Sequence, residues 1–192
     1  MHTKRAIANT QDRYHPLSIW MHWGTFILMI AVYALIEFRE LFPKGSNPRE
    51  AMKQWHFMLG MVVFGLVFVR LILHRVFQTP PIDPAPPIWI RIPAKAMHLT
   101  LYAFLIVMPV LGWLALNAEG KTVPFFGLSL PTLISTDKPL GDRLENLHEV
   151  IGIIGYYLIG LHAAAALFHH YFIRDNALRR MLPGRSSGGA AS

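Results

Sequence analysis

The sequence predicts an all-α protein, an integral membrane four-helix bundle, from three observations. Hydrophobic residues make up 53% of the 192 residues and charged residues only 15%, well below the roughly 25% of soluble domains. Four segments each hold about 20 mostly apolar residues, enough to cross about 30 Å of hydrocarbon. Polar segments rich in turn residues separate them. We expect a single four-helix domain over residues 1–183 and a disordered tail over 184–192.

The four apolar segments are predicted as transmembrane helices, in order along the chain, at about 16–37, 55–76, 96–117 and 147–172. Three polar connections join them, at 43–48, 79–87 and 119–145. The second connection is the richest in proline, which cannot continue a helix. The third contains an apolar stretch at 123–131 that is too short to span a membrane, and we expect it at the membrane interface.

The distribution of lysine and arginine predicts the orientation. Four spans put both chain ends and the 79–87 connection on one side, the termini face, and the other two connections on the opposite side, the loop face. Of 18 lysines and arginines, 11 belong to the termini face and 7 to the loop face. The positive-inside rule therefore predicts that both termini are cytoplasmic. This distribution in a membrane protein accounts for the formal charge of +7, and we expect no nucleic-acid partner.

Cysteine is absent from the sequence, whereas histidine occurs ten times. The lack of cysteine excludes disulfides, thiolate metal sites, iron–sulfur clusters and a covalently attached c-type haem, which needs a C-x-x-C-H motif. Ionisable and metal-binding side chains are costly inside a membrane and are functional by default. The histidines within the predicted spans are therefore the first candidates for a site.

Four histidines form two pairs matched by depth. His162 follows His148 by fourteen residues, about 21 Å at 1.5 Å per residue, and nearly four whole turns keep both on one helix face. His22 and His162 then lie near the termini face (the inner pair), and His56 and His148 near the loop face (the outer pair). A haem with two histidine ligands needs imidazoles from facing helices at equal depth, so the spacing predicts two haems b inside the bundle.

Glycines near the outer pair are consistent with a bound macrocycle. Gly60 follows His56, and Gly152 follows His148, by four residues. Each glycine therefore lies one turn from its histidine on the same helix face and presents no side chain there. Small residues are also common at membrane helix contacts, and single histidines can form interhelical hydrogen bonds. Structural zinc is a rival to haem, but its four ligands converge at one depth, whereas these pairs are about 20 Å apart.

Three further residues near the termini face are candidates for a role. Arg70 lies about a turn inside the end of its helix and is a candidate for binding a haem propionate. His169 falls two turns after His162 on the same face, and with His98 it is a candidate for contacting a quinone. The alternative for all three is that basic side chains at helix ends extend to the headgroups.

Several segments resemble the bacterial cytochrome b561 family across almost the whole range 13–183. They are Ile19–Trp23, Glu37–Arg39, Thr79–Pro81, His98–Tyr102, Pro109–Gly112 and, as the most specific, Gly155–Phe172. The resemblance implies a four-helix inner-membrane protein with two haems b, whose iron ligands are His22, His56, His148 and His162. It is closest to members that oxidise superoxide and reduce ubiquinone, which implies those two substrates.

Superoxide is an anion, so a cationic mouth would raise its rate of encounter. The candidates for steering it on the loop face are Lys44, Arg49, Lys53, Lys121, Lys138 and Arg143. We expect lipid around the bundle and no required protein partner. Two alternatives stay open: a cytochrome b subunit that passes electrons from a dehydrogenase or hydrogenase partner to quinone, and a transporter without haem.

Overall fold

The computed structural model describes residues 13–184, so the expected tail lies, apart from Gly184, outside the described residues. Within this range the chain forms four long helices: α1 (Pro16–Phe38), α2 (Asn47–Val76), α3 (Ile88–Ala118) and α4 (Lys138–Phe168). Short turns of helix follow α1 at Arg39–Leu41, extend α4 at His169–Ile173 and occur at Arg179–Met181. The predicted all-helical bundle is confirmed, and its four long helices are long and apolar enough to cross a membrane.

Three of the helices begin earlier than the predicted spans. They start at Asn47, Ile88 and Lys138 rather than near residues 55, 96 and 147. A hydropathy window finds only the part of a helix that lies in hydrocarbon, whereas capping groups outside it fix where the helix begins. The Asp137 carboxylate, for example, accepts a hydrogen bond of 3.1 Å from the Leu140 N–H, and Pro139 occupies the first turn. Residues 138–145 are therefore helix and not connection.

The bundle core lies where α2 and α3 meet. Val63 and Val67 of α2 pack against Phe104 and Leu105 of α3, and all four are buried. Gly155 brings α4 against this layer, because a Cβ atom at that position would collide with the Phe104 ring. Close approach at a small residue is the usual way in which membrane helices pack.

The outer surface of the bundle is apolar. No more than 17% of the most apolar window of any span is buried inside the protein, and Ile27, Ile72 and Leu161 each expose 60% or more of their surface. Soluble monomers rarely expose apolar areas of this extent. The chain is accordingly a multi-pass membrane protein whose exposed surface suits lipid.

A short β-hairpin lies on the loop face, in the connection between α3 and α4. Strands β1 (Pro124–Phe125) and β2 (Leu128–Ser129) pair antiparallel. The two turn residues, Phe126 and Gly127, have φ values of 49° and 86°, as a type I′ turn requires. The Phe126 ring packs edge-on against Trp55 of α2 at 6.2 Å. The apolar stretch at 123–131 thus folds back onto the bundle.

Residues 174–184, the closing segment, cover the termini face. The Trp23 indole of α1 donates a hydrogen bond of 2.7 Å to the Met181 carbonyl. The Asp83 N–H donates to the Asn176 side-chain oxygen at 3.0 Å, and the Asn176 N–H donates back to the Asp83 carbonyl at 3.1 Å. The closing segment therefore links α1 to the loop between α2 and α3.

Candidate functional site

The outer pair comes together between α2 and α4. The ring centroids of His56 and His148 are 6.2 Å apart, with the ring planes at 77°. Imidazoles that bind one metal from opposite sides at about 2 Å, each centroid about 1.1 Å behind its nitrogen, place those centroids roughly 6.2 Å apart. The separation therefore suits one iron held between the two rings.

The inner pair has nearly the same spacing. His22 of α1 and His162 of α4 have ring centroids 6.3 Å apart. His98 of α3 also approaches His162, at 5.4 Å, which is shorter than the separation of two rings on opposite sides of one metal. The structure thus brings together both pairs that the spacing predicts, and it puts His98 beside the inner pair as a neighbour.

The hydrogen bonds of the outer pair leave its imidazoles able to bind a metal. The Nδ1 atom of His56 lies 2.9 Å from the Val32 carbonyl oxygen, so its N–H donates there and Nε2 keeps its lone pair. Ligating histidines commonly donate to a carbonyl in this way. The Nδ1 atom of His148 is buried near the Met108 backbone and makes no hydrogen bond of normal geometry with the described residues.

A large cavity contains the outer pair. Its volume is about 1030 Å³, at the upper end of the range for small-molecule sites. Gly60, Gly112 and Gly152 all line it. A Cβ atom at Gly60 would meet no other atom within 4 Å, so packing of the protein does not demand glycine there. The cavity, its glycines and its facing imidazoles fit a haem b.

Carboxylates outnumber cations in the lining of this cavity. Six carboxylates line it, namely Glu37, Glu40, Glu50, Glu119, Glu145 and Glu149, against three cations, Arg39, Lys53 and Lys121. Exposed residues of the loop face are among them, so the cavity opens there. The cavity mouth is therefore acidic and not cationic as expected. The expectation counted only the lysines and arginines of the loop face, and the acidic residues that fold beside them reverse the balance.

Five of the six predicted steering residues lie at the surface or at the cavity mouth. Lys53, Lys121 and Lys138 each form an ion pair with a nearby carboxylate. Lys44 and Arg143 are exposed and form no ion pair within residues 13–184. Neither of these two lines the cavity.

Arg49, the sixth, has a structural role. It is 7% exposed, and it donates hydrogen bonds to the carbonyls of Arg39 and Phe42 at 3.2 and 3.1 Å. It also pairs with the Glu40 carboxylate at 2.8 Å. Arg49 thus fixes the turn between α1 and α2 instead of facing solvent, because the carbonyls at the end of α1 need donors.

Arg70 lies beside the inner pair. Its Nη2 atom is 3.1 Å from Nδ1 of His22, and its guanidinium carbon is 5.5 Å from the Tyr102 ring centroid. A guanidinium can only donate, so Nδ1 accepts in this contact and the neutral ring carries its proton on Nε2. Metal binding through Nε2 would require Arg70 to turn to another acceptor, such as the propionate that it is predicted to bind. The predicted propionate ligand is therefore near enough to the inner pair to act on whatever group that pair holds.

His169 forms a hydrogen bond to a buried carboxylate of the closing segment. Its Nδ1 atom lies 2.6 Å from an oxygen of Asp175, whose side chain is fully buried, and the Ala177 N–H donates to the other oxygen at 2.9 Å. The sequence pattern did not single out Asp175. One feature of the sequence could have pointed to it: within the described residues, Asp83 and Asp175 are the only acidic residues on the termini face.

Arg180 adds a positive charge near this pair. Burial lowers the pKa of its guanidinium, whereas neighbouring Tyr14 and Asp175 raise it. An arginine stays charged under such shifts, so Arg180 offsets part of the Asp175 charge. The termini face therefore offers a histidine, a buried carboxylate and cations within a small volume.

Comparison with known proteins points in one direction. The family model described as prokaryotic cytochrome b561 matches residues 13–184. Cytochrome b561 homolog 1 of Escherichia coli is 37% identical over 174 residues, 91% of this chain and 99% of the relative. The probable superoxide oxidase CybB of Yersinia pestis is 35% identical, over 89% and 96% of the two chains. Cytochrome b561 homolog 2 of Escherichia coli is 29% identical, over 95% and 97%.

Proposed function

Since this chain belongs to the prokaryotic cytochrome b561 family, a family of haem b membrane oxidoreductases, we propose that it moves electrons from superoxide to ubiquinone. Superoxide is oxidised at the loop face, and ubiquinone is reduced near the termini face. The loop face is periplasmic and the termini face cytoplasmic in the bacterial inner membrane, in keeping with the excess of lysine and arginine on the termini side.

Two haems b are the proposed electron carriers, one held by His56 and His148 and the other by His22 and His162. When bound, each haem supplies a one-electron carrier whose potential depends on its ligands and surroundings. The equal spacing of the two pairs, 6.2 and 6.3 Å, supports this assignment. The protein contributes the ligands and the depth of each site.

The main support for superoxide as the electron donor is the cavity around the outer pair. It opens at the loop face and reaches His56 and His148, so a small donor can come close to the outer site. Each superoxide gives up one electron and leaves as O₂, which needs neither a nucleophile nor a proton. A relative 35% identical bears the name probable superoxide oxidase, which supports the same donor.

Reduction of one ubiquinone takes up two electrons and two protons, so the acceptor site needs a proton source. We assign this role to His169, with Asp175 as the residue that orients it, because their 2.6 Å contact fixes which ring nitrogen faces away. His98, beside His162, is the second residue proposed to contact the quinone. Arg70 is proposed to bind a propionate of the inner haem.

We expect superoxide to reduce the purified, haem-loaded protein in stopped-flow mixing, and added ubiquinone to reoxidise it. The reason is that the outer cavity admits the small donor while the inner site passes electrons to the acceptor. The measurement follows the b-type absorption bands. Superoxide dismutase in the donor syringe should abolish the reduction. Bands that stay oxidised with superoxide alone would reject the donor, while the family assignment would stand.

The variants His169→Ala and Asp175→Asn should slow reoxidation by ubiquinone about 100-fold, the usual scale for losing a positioned proton donor. Reduction by superoxide and the absorption spectrum should stay unchanged, because both residues are remote from the outer pair. His74→Ala, an exposed histidine on α2, is the control and should leave both rates as they are. Equal reoxidation rates in all variants would remove His169 from the acceptor site.

The acid-rich lining supports a second donor. Six carboxylates against three cations repel an anion and attract a cationic protein, which suits a cytochrome subunit that accepts electrons from a dehydrogenase or hydrogenase. Copurification of a basic protein that reduces the haems faster than superoxide does would favour this function. Rapid reduction by superoxide alone, with weak dependence on salt, would favour the first.

A further inference from the structure

We infer that α3 carries a binding site for one anionic phospholipid at the termini face. The site is a row of side chains at every fourth position of this helix, the α3 row, which consists of Arg91, Lys95, Leu99, Ala103 and Val107. All five are exposed. Side chains four residues apart lie on one ridge of a helix, so the row presents two cations at one end and an apolar strip below them. The site is independent of haem, superoxide and quinone.

The two cations of the α3 row have no counter-charge within the described residues. The helix itself contains no acidic residue, and neither Arg91 nor Lys95 forms an ion pair within residues 13–184. Of the two acidic residues described on this face, Asp175 is buried against His169 and Asp83 forms no ion pair there. Like charges four residues apart destabilise a helix. An anion bound between the two cations removes that repulsion, so the row favours a negative headgroup.

The length of the α3 row matches one leaflet of a bilayer. Lys95 precedes Val107 by twelve residues, about 18 Å at 1.5 Å per residue, and half of a hydrocarbon core about 30 Å thick is about 15 Å. Leu99 is 72% exposed, and Ala103 leaves a shallow notch between its larger neighbours in the row. An acyl chain can therefore lie along the strip while its headgroup stays beside the cations.

The first turns of α3 have the composition of a membrane–water interface. Trp89 is 70% exposed, and Ile88 and Ile92 expose more than half of their surface in the same turns as Arg91. Exposed tryptophan is typical of the headgroup level, and clusters of basic residues there bind anionic lipid headgroups. A zwitterionic headgroup carries its own cation, which Arg91 and Lys95 would repel. We therefore expect a preference for a lipid with a net negative charge.

Native mass spectrometry of the haem-loaded protein in mild detergent, titrated with phosphatidylglycerol or phosphatidylcholine, tests the site. The wild type should bind the first phosphatidylglycerol more tightly than the first phosphatidylcholine. A basic residue near an anionic lipid strengthens binding about fivefold. The double variant Arg91→Gln and Lys95→Gln should therefore bind phosphatidylglycerol about 25-fold more weakly, with phosphatidylcholine binding unchanged. Equal affinities of the wild type for the two lipids, or full affinity in the double variant, would overturn the inference.

A matched control removes two cations from the same face. Arg174 and Arg179 of the closing segment are exposed and form no ion pair within the described part of the chain. The double variant Arg174→Gln and Arg179→Gln therefore makes the same change in net charge. It should weaken phosphatidylglycerol binding less than about twofold, because exposed charges are screened within about 10 Å. A loss as large as that in the Arg91 and Lys95 variant would mean diffuse attraction to the whole face and would reject the site.

Two further measurements separate a lipid from a free phosphate. Glycerol phosphate has the headgroup chemistry without an acyl chain, so an excess of it should not displace phosphatidylglycerol, and displacement would contradict the inference. Ala103→Trp fills the notch and keeps both cations, so it should weaken phosphatidylglycerol binding severalfold. Full affinity in this variant would mean that no acyl chain follows the row, which also rejects the site. Unchanged haem absorption bands show that each variant is folded.

Discussion

His148→Ala should lower the haem content of the purified protein by about half. His148 and His56 face each other at 6.2 Å, so alanine would remove one of the two residues proposed to hold the outer haem. The inner pair lies about 21 Å away along α4, so the haem proposed there should be retained. Haem content per chain is measured by extraction into alkaline pyridine, and reduction by superoxide should be lost together with the outer haem.

The other histidines supply controls for this experiment. His74→Ala removes an exposed histidine and should leave haem content unchanged. His98→Ala is the sharper control, since His98 lies 5.4 Å from His162 but belongs to neither of the two pairs proposed to hold haem. If His98→Ala lost a haem while His22→Ala did not, the inner ligand pair would have to be reassigned.

Gly60→Leu should also remove the outer haem, although the bundle itself has space for the new side chain. No atom lies within 4 Å of a Cβ at Gly60, and the residue lines the cavity with His56. Leucine would occupy the space in front of the imidazoles, where the proposed macrocycle lies. Haem content should again fall by about half, and thermal unfolding of the detergent-solubilised protein should show a folded chain.

Gly65→Leu is the matched control on the same helix. A Cβ at Gly65 also meets nothing within 4 Å, but Gly65 is exposed on the bundle surface and does not line the cavity. Both substitutions make the same change in helix propensity. Full haem occupancy in Gly60→Leu would mean that the macrocycle does not approach α2 at this point.

The four helices and the two histidine pairs were predictable because each depends on local rules. Membrane thickness fixes the length of an apolar span, and the rise of 1.5 Å per residue fixes how far His148 lies from His162. Four spans in alternating directions then bring His22 to the depth of His162 and His56 to that of His148. No knowledge of side-chain packing is needed for these steps.

Other features depend on contacts between distant residues, which hydropathy does not encode. Arg49 looked like a surface cation, yet it is buried against the carbonyls at the end of α1. Asp175 gave no motif, and its importance follows from its contact with His169. The balance of charge around the cavity also could not be predicted from the basic residues alone, because acidic residues such as Glu145 and Glu149 line it.

The closing segment has a consequence for biosynthesis. Trp23 and Met181 are 158 residues apart in sequence, and the ribosome completes Met181 only after all four spans have been made. Until then the indole N–H of Trp23 cannot donate to this carbonyl and must use another acceptor, such as water or a lipid headgroup. Contacts between such distant residues also form slowly. The contacts of the closing segment on the termini face therefore form only after all four spans have been made, and the quinone site proposed there depends on them.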